Sequence, residues 1–71
     1  MTQNDEVLKH LQEKGPLTPL QALDLYRVFR LAARVDDLRR RGYGIATEMK
    51  RAVDKRTGRV KRYAVYHLED L

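Results

Sequence analysis

An α+β chain, three helices followed by a two-stranded antiparallel hairpin, is predicted by three observations in these 71 residues. Apolar residues recur at helical spacing as far as Leu38, the period then shortens toward two after Tyr43-Gly44, and Gly or Pro punctuates the junctions. The length leaves room for one small core and no second lobe, so residues 1–71 are expected to form a single domain. At 42% hydrophobic and 35% charged residues the apolar side chains suffice for folding, because they cluster at regular spacings and are not diluted evenly.

The first helix is predicted from about Asn4 to Lys14, with Val7, Leu8 and Leu11 on one face and Gly15-Pro16 ending it. Thr18-Pro19-Leu20-Gln21 then supplies a capping hydroxyl, a proline at the first helical position and a glutamine that can reach back to the cap, so a second helix starts at Thr18. It carries Leu20, Leu23 and Leu25 and is short, since the apolar register changes around Asp24-Leu25-Tyr26, where a tight turn is expected. The third helix is predicted over Val28 to Arg41 with a buried stripe of Val28, Leu31, Ala32, Val35 and Leu38, closed by Gly42 as a left-handed cap. Ile45, Thr47, Met49, Arg51 and Val53 alternate along a first strand, Asp54 to Gly58 form a turn, and Val60 to Leu68 form a second strand. Its inward face is either Tyr63 and Val65 or Ala64, Tyr66 and Leu68, because both alternations are apolar.

The charge is unevenly placed. Thirteen of the fifteen Lys and Arg residues lie between Tyr26 and Arg62, against four acidic residues there, a local charge of +9 in a chain whose formal total is +5. Such a concentration attracts a polyanion and points to duplex DNA. Taking about 100° per residue, Arg27, Arg30, Arg34 and Arg41 are expected to share a sector opposite the buried stripe, where a recognition helix needs its readers. Arginine can bond guanine O6 and N7 with two parallel hydrogen bonds, and the same fork grips phosphate. Arg27 and Arg30, nearest the helix start, are the favoured base contacts, followed by Arg34. Within Arg39-Arg40-Arg41 part of the charge serves the helix end, and Asp36-Asp37 are placed to pair with it. Lys50, Arg51, Lys55, Arg56, Arg59, Lys61 and Arg62 flank the hairpin turn, where long cations suit phosphate or minor-groove contact, with Arg56 and Arg59 at the tip. One further phosphate is expected at the amides of the second helix start, near Thr18 and Gln21.

Helix, helix, helix and hairpin, with a short turn between the second and third helices, is the order of a winged helix-turn-helix. Leu17-Thr18-Pro19-Leu20-Gln21-Ala22-Leu23 and Arg30-Leu31-Ala32-Ala33-Arg34-Val35-Asp36-Asp37-Leu38, continuing through Gly42-Tyr43-Gly44-Ile45, resemble the small winged helix-turn-helix domains common in bacteriophage and prophage genomes. The resemblance spans roughly residues 17–66 and departs from the pattern at Tyr26-Arg27-Val28-Phe29, where a smaller, more glycine-like connection is the rule. It implies DNA binding, with transcription regulation in a phage or mobile element as the associated role.

Other functions find less support. The chain has no Cys and no Ser, and His10 and His67 lie in different elements, so nucleophilic or metal-dependent catalysis is not expected; both histidines read as surface or rim residues. No cofactor is called for, since no glycine-rich phosphate loop is present. Tyr43, Tyr63 and Tyr66 have rings that stack on unpaired bases and Phe29 one that meets a thymine methyl, although aromatics at helix-to-strand junctions more often serve the core. With no leader-like start and no long apolar run, a cytoplasmic location without membrane contact is expected. Single modules of this size bury only about 600–1,000 Å² on DNA, which favours a homodimer or cooperative assembly. The rival readings are an excisionase-like or replication-type architectural protein using the same surface, and a protein-interaction module built on the same scaffold.

Overall fold

The computed structural model describes residues 2–69. Its elements are α1 (Gln3–Glu13), α2 (Pro19–Tyr26), α3 (Leu31–Arg40), β1 (Ile45–Val53) and β2 (Val60–Leu68). Helix α1 begins at Gln3 because Thr2 caps it: the Thr2 hydroxyl accepts from the Asp5 amide at 3.2 Å, and the Asp5 carboxylate accepts from the Thr2 amide at 3.2 Å. Thr18 and Gln21 form the same reciprocal box at the start of α2, both bonds at 3.1 Å, as the sequence predicts.

Helix α3 differs from its prediction at the start. The chain leaves α2 through Arg27, whose φ of 57° and ψ of 31° lie in the left-handed region, and α3 begins at Leu31 with Arg30 as its N-cap. Val28 is buried all the same, but as the plug of the α2–α3 turn and not as the first residue of a helix. The stripe that α3 buries is Leu31, Val35 and Leu38; Ala32 is exposed. Gly42 closes the helix at φ 103°, as expected, with the Tyr43 amide reaching back to the Leu38 carbonyl at 3.2 Å. In α2 the buried residue is Ala22, while Leu20 and Leu25 stand in solvent. Eight residues make barely two turns, so only a narrow face can point inward.

Val7, Leu11, Leu17, Ala22, Val28, Leu31, Val35, Leu38, Ile45 and Tyr66 form the core. His10 is buried beside them at 7% exposure, against the surface or rim position expected from the sequence. It sits three residues after Val7 on the inward face of α1, and both ring nitrogens find partners: Nδ1 lies 2.7 Å from the Tyr26 hydroxyl and Nε2 3.3 Å from the Pro16 carbonyl. A carbonyl only accepts, so Nε2 carries the proton, and in the neutral ring Nδ1 accepts from the Tyr26 O–H.

The two strands pair antiparallel from Ile45↔Leu68 at the base to Val53↔Val60 at the tip. Leu17 exchanges backbone hydrogen bonds with Tyr66 on the other edge of β2, at 3.0 and 2.9 Å, which ties the α1–α2 connection to the base of the hairpin. Ala64, Tyr66 and Leu68 pack against the core, which decides the facing left open by the sequence; Val65 is buried on the opposite face. Beyond Glu48 and before Ala64 nearly every strand residue is exposed, so the distal half of the hairpin projects as an arm from the helical body.

Candidate nucleic-acid interface

The arginines near α3 do not form one stripe. Arg27 caps α2, Arg30 caps α3, and both side chains are exposed at the α2–α3 turn. A common helical sector for Arg27, Arg30, Arg34 and Arg41 therefore fails, because the first two residues are not helical. Arg34 precedes Leu38 by one turn and follows Leu31 by three residues, so it flanks the buried stripe; it is half-buried, with its guanidinium 3.3 Å from Asp37. Arg41 lies at the α3 C-cap on the side of α1, near enough to Asp5 to help hold that carboxyl down. The face of α3 turned to solvent is instead Ala32, Ala33, Asp36, Asp37 and Arg40, and there Arg40 is paired to Asp36 at 3.0 Å.

Arg39 has a structural task. Its Nε and Nη2 donate to the Ile45 carbonyl at 3.0 and 2.6 Å, and Nη2 also donates to the Thr47 hydroxyl at 2.9 Å. These bonds clamp the end of α3 to the base of β1 and identify the hairpin face that looks toward α3. Thr47 is on that face, and by alternation so are Met49, Arg51 and Val53, together with their partners Tyr66, Ala64, Arg62 and Val60.

Directly opposite each other on this face stand Arg51 and Arg62, both exposed. Like charges at facing positions repel and weaken a two-stranded arm. Among the described residues neither has a carboxylate within salt-bridge distance, whereas Lys50 on the opposite face pairs with Glu48 at 3.5 Å. Lys61 shares that opposite face, so the predicted wing cations divide between two sides of the ribbon. Arg62 is one cation among several in the sequence; the register singles it out. That pairing is readable once the turn is placed, because residues equidistant from a hairpin turn face each other.

At the tip, Asp54 to Arg59 form a pinned loop. The Asp54 amide donates to the Arg59 carbonyl at 2.8 Å, the Gly58 amide to the Asp54 carbonyl at 2.7 Å, and the Arg56 amide to the Asp54 carboxylate at 2.9 Å. Gly58 takes φ 71°, which this turn requires. Lys55, Arg56 and Arg59 are thus carried outward on a held backbone with no ion pair among the described residues. At the start of α2, the capping box commits the amides of Thr18 and Gln21 together with their side chains, and Pro19 has no N–H, so the phosphate expected near Thr18 and Gln21 is offered neither of those amides. Tyr66 is core, while Tyr43 and Tyr63 are partly exposed. His67 is half-buried, 4.0 Å from Glu48. No group of three or more His, Cys, Asp or Glu residues suited to a metal occurs among the described residues, and no helix there is long and apolar enough to cross a membrane.

Two cationic regions therefore flank a nearly neutral helix face: the α2–α3 turn with Arg27 and Arg30, and the wing with Arg51, Arg62 and its tip. No curated protein and no solved structure matches the chain. A family model described as a winged helix-turn-helix domain matches residues 2–70. With three helices, a short turn before the third and a two-stranded wing clamped to its end, the chain belongs to the winged helix-turn-helix domain family.

Proposed function

We propose that this chain binds duplex DNA, with the start of α3 in the major groove and the wing on the flanking backbone or minor groove, as a transcriptional regulator of a phage or mobile element. The Arg51–Arg62 pair carries the reading. Two facing guanidinium groups with no acidic partner among the described residues destabilise the arm in isolation, and a phosphate backbone supplies a counter-charge. Arg27 and Arg30 at the turn and Lys55, Arg56 and Arg59 at the tip extend the same contact. The small footprint favours a homodimer or cooperative assembly on repeated half-sites.

Selection of bound duplexes from a random pool, followed by titration across salt concentrations, tests this. Affinity should fall steeply with salt, and Arg51→Ala and Arg62→Ala should each lower the log–log slope by about one without changing the preferred sequence. Arg40→Ala, which removes a charge already paired to Asp36, should change the slope far less. Slopes unchanged from wild type in Arg51→Ala and Arg62→Ala would remove the wing from the interface, and a chain that recovers no duplex would end the DNA reading.

A further inference from the structure

The outward side of the first turn of α3 is apolar, although cations surround it. Phe29, just before the helix, is 80% exposed, more than any other large hydrophobic side chain among the described residues. Ala32 is exposed and Ala33 half-buried behind it. Phe29 is held out by its surroundings and is not frayed. Val28 before it is 1% exposed and its amide donates to the Ala22 carbonyl at 3.1 Å, the Arg27 amide donates to Leu23 at 3.0 Å, and Arg30 after it accepts from the Ala33 and Arg34 amides at 3.1 and 3.3 Å.

We infer that Phe29 is a specificity residue that reads the C5-methyl group of a thymine in the major groove. The inference rests on the DNA-binding reading above. The leading end of a recognition helix comes closest to base edges, and this one presents a large ring and two short side chains there. The thymine methyl is the apolar feature of the major-groove edge, so an apolar side chain at this place discriminates by meeting it. The exposed Arg27 and Arg30 on either side choose the partner class: facing phosphates they gain counter-charges, whereas an apolar protein surface closing over Phe29 would strip their water without replacing it. Ala32 and Ala33 keep the helix slim enough for Phe29 to approach the floor of the groove.

The test uses the full chain, the duplex recovered by selection, and a series in which each thymine in turn is replaced by deoxyuridine, which removes only the methyl group. Wild type should lose about fourfold in affinity at one position, the worth of one buried methyl. Phe29→Ala should bind the thymine duplex several-fold more weakly and show no uracil penalty at that position. Its thermal midpoint should match wild type, because the ring is exposed. A Phe29→Ala variant that keeps the penalty, or binds as tightly as wild type, overturns the assignment while leaving DNA binding intact. A wild type indifferent to every uracil overturns it equally, and a wild type that recovers no duplex removes it together with the DNA-binding reading.

Discussion

Arg27 occupies a backbone conformation that suits glycine, in the turn where the sequence resemblance implies a smaller, more glycine-like connection. An L-residue at φ 57° carries strain of about 1–3 kcal/mol, which persists only where the surroundings enforce it. Here two hydrogen bonds from the turn amides and the buried Val28 do so. A charged side chain kept at that expense is accounted for if it holds a phosphate beside Phe29. Arg27→Gly is expected to raise stability by about 1 kcal/mol, or a thermal midpoint gain of roughly 4–8 °C in a domain of this size, while lowering the salt slope of duplex binding by about one. Arg27→Ala should lower the slope equally without the gain in midpoint. If glycine and alanine melt alike, strain is not what the left-handed turn stores; if neither moves the slope, Arg27 is not at the interface.

Among the elements, α3 and the wing act as one piece because Arg39 joins them, three hydrogen bonds holding the helix end to Ile45 and Thr47. The acidic pair in α3 neutralises Arg34 and Arg40 within the helix, which leaves the turn and the wing as the cationic parts. Helix α1 depends on its cap in a pH-sensitive way. Hydrogen bonding to the Thr2 amide, then to its hydroxyl, holds the Asp5 carboxyl below its ordinary value, with Arg41 nearby adding to the effect. A carboxyl whose pKa is depressed by folding contributes stability above its unfolded pKa of about 3.9, and loses it as pH falls through the folded value. The midpoint advantage of wild type over Asp5→Asn should therefore be full at pH 7 and shrink below about pH 4. A difference that stays constant on acidification would show that the ionised carboxylate is not what caps the helix.

At the scale of the whole molecule, extents of 40 × 26 × 20 Å describe a small helical body with a projecting arm. All the burial lies in the body and at the arm's base, so the ten core residues have little in reserve. His10 is the polar member of that interior and ties α1 to Tyr26 at the end of α2 and to Pro16 in the connection between them. Tyr26→Phe keeps the ring but leaves Nδ1 of His10 without a donor in a buried site. It is expected to cost about 1–3 kcal/mol, a large share of a domain this small, read from a denaturation midpoint with unchanged slope. A loss within a few tenths of a kcal/mol would mean that water replaces the hydroxyl.

The start of α2, the left-handed Gly42 and the hairpin were legible from the chain alone, because a capping box, turn residues and apolar periods are local and act through neighbours a few positions away, whereas the start of α3 was not. The +9 charge of the middle and its attraction for a polyanion were equally a matter of composition. Which cations stand together was not. The expected arginine sector assumed an unbroken helix from Val28, and the left-handed Arg27 with the buried Val28 broke it. Arg39 was committed to the wing by contacts six and eight positions away. Tyr66 over Val65 as the core-facing residue depended on where α1 and Leu17 pack. Local chemistry determined the elements, their total charge and, through the hairpin turn, the facing of Arg51 and Arg62; only tertiary packing, by choosing which faces lose water, decided which side of the hairpin meets the core and that Phe29 stays outside.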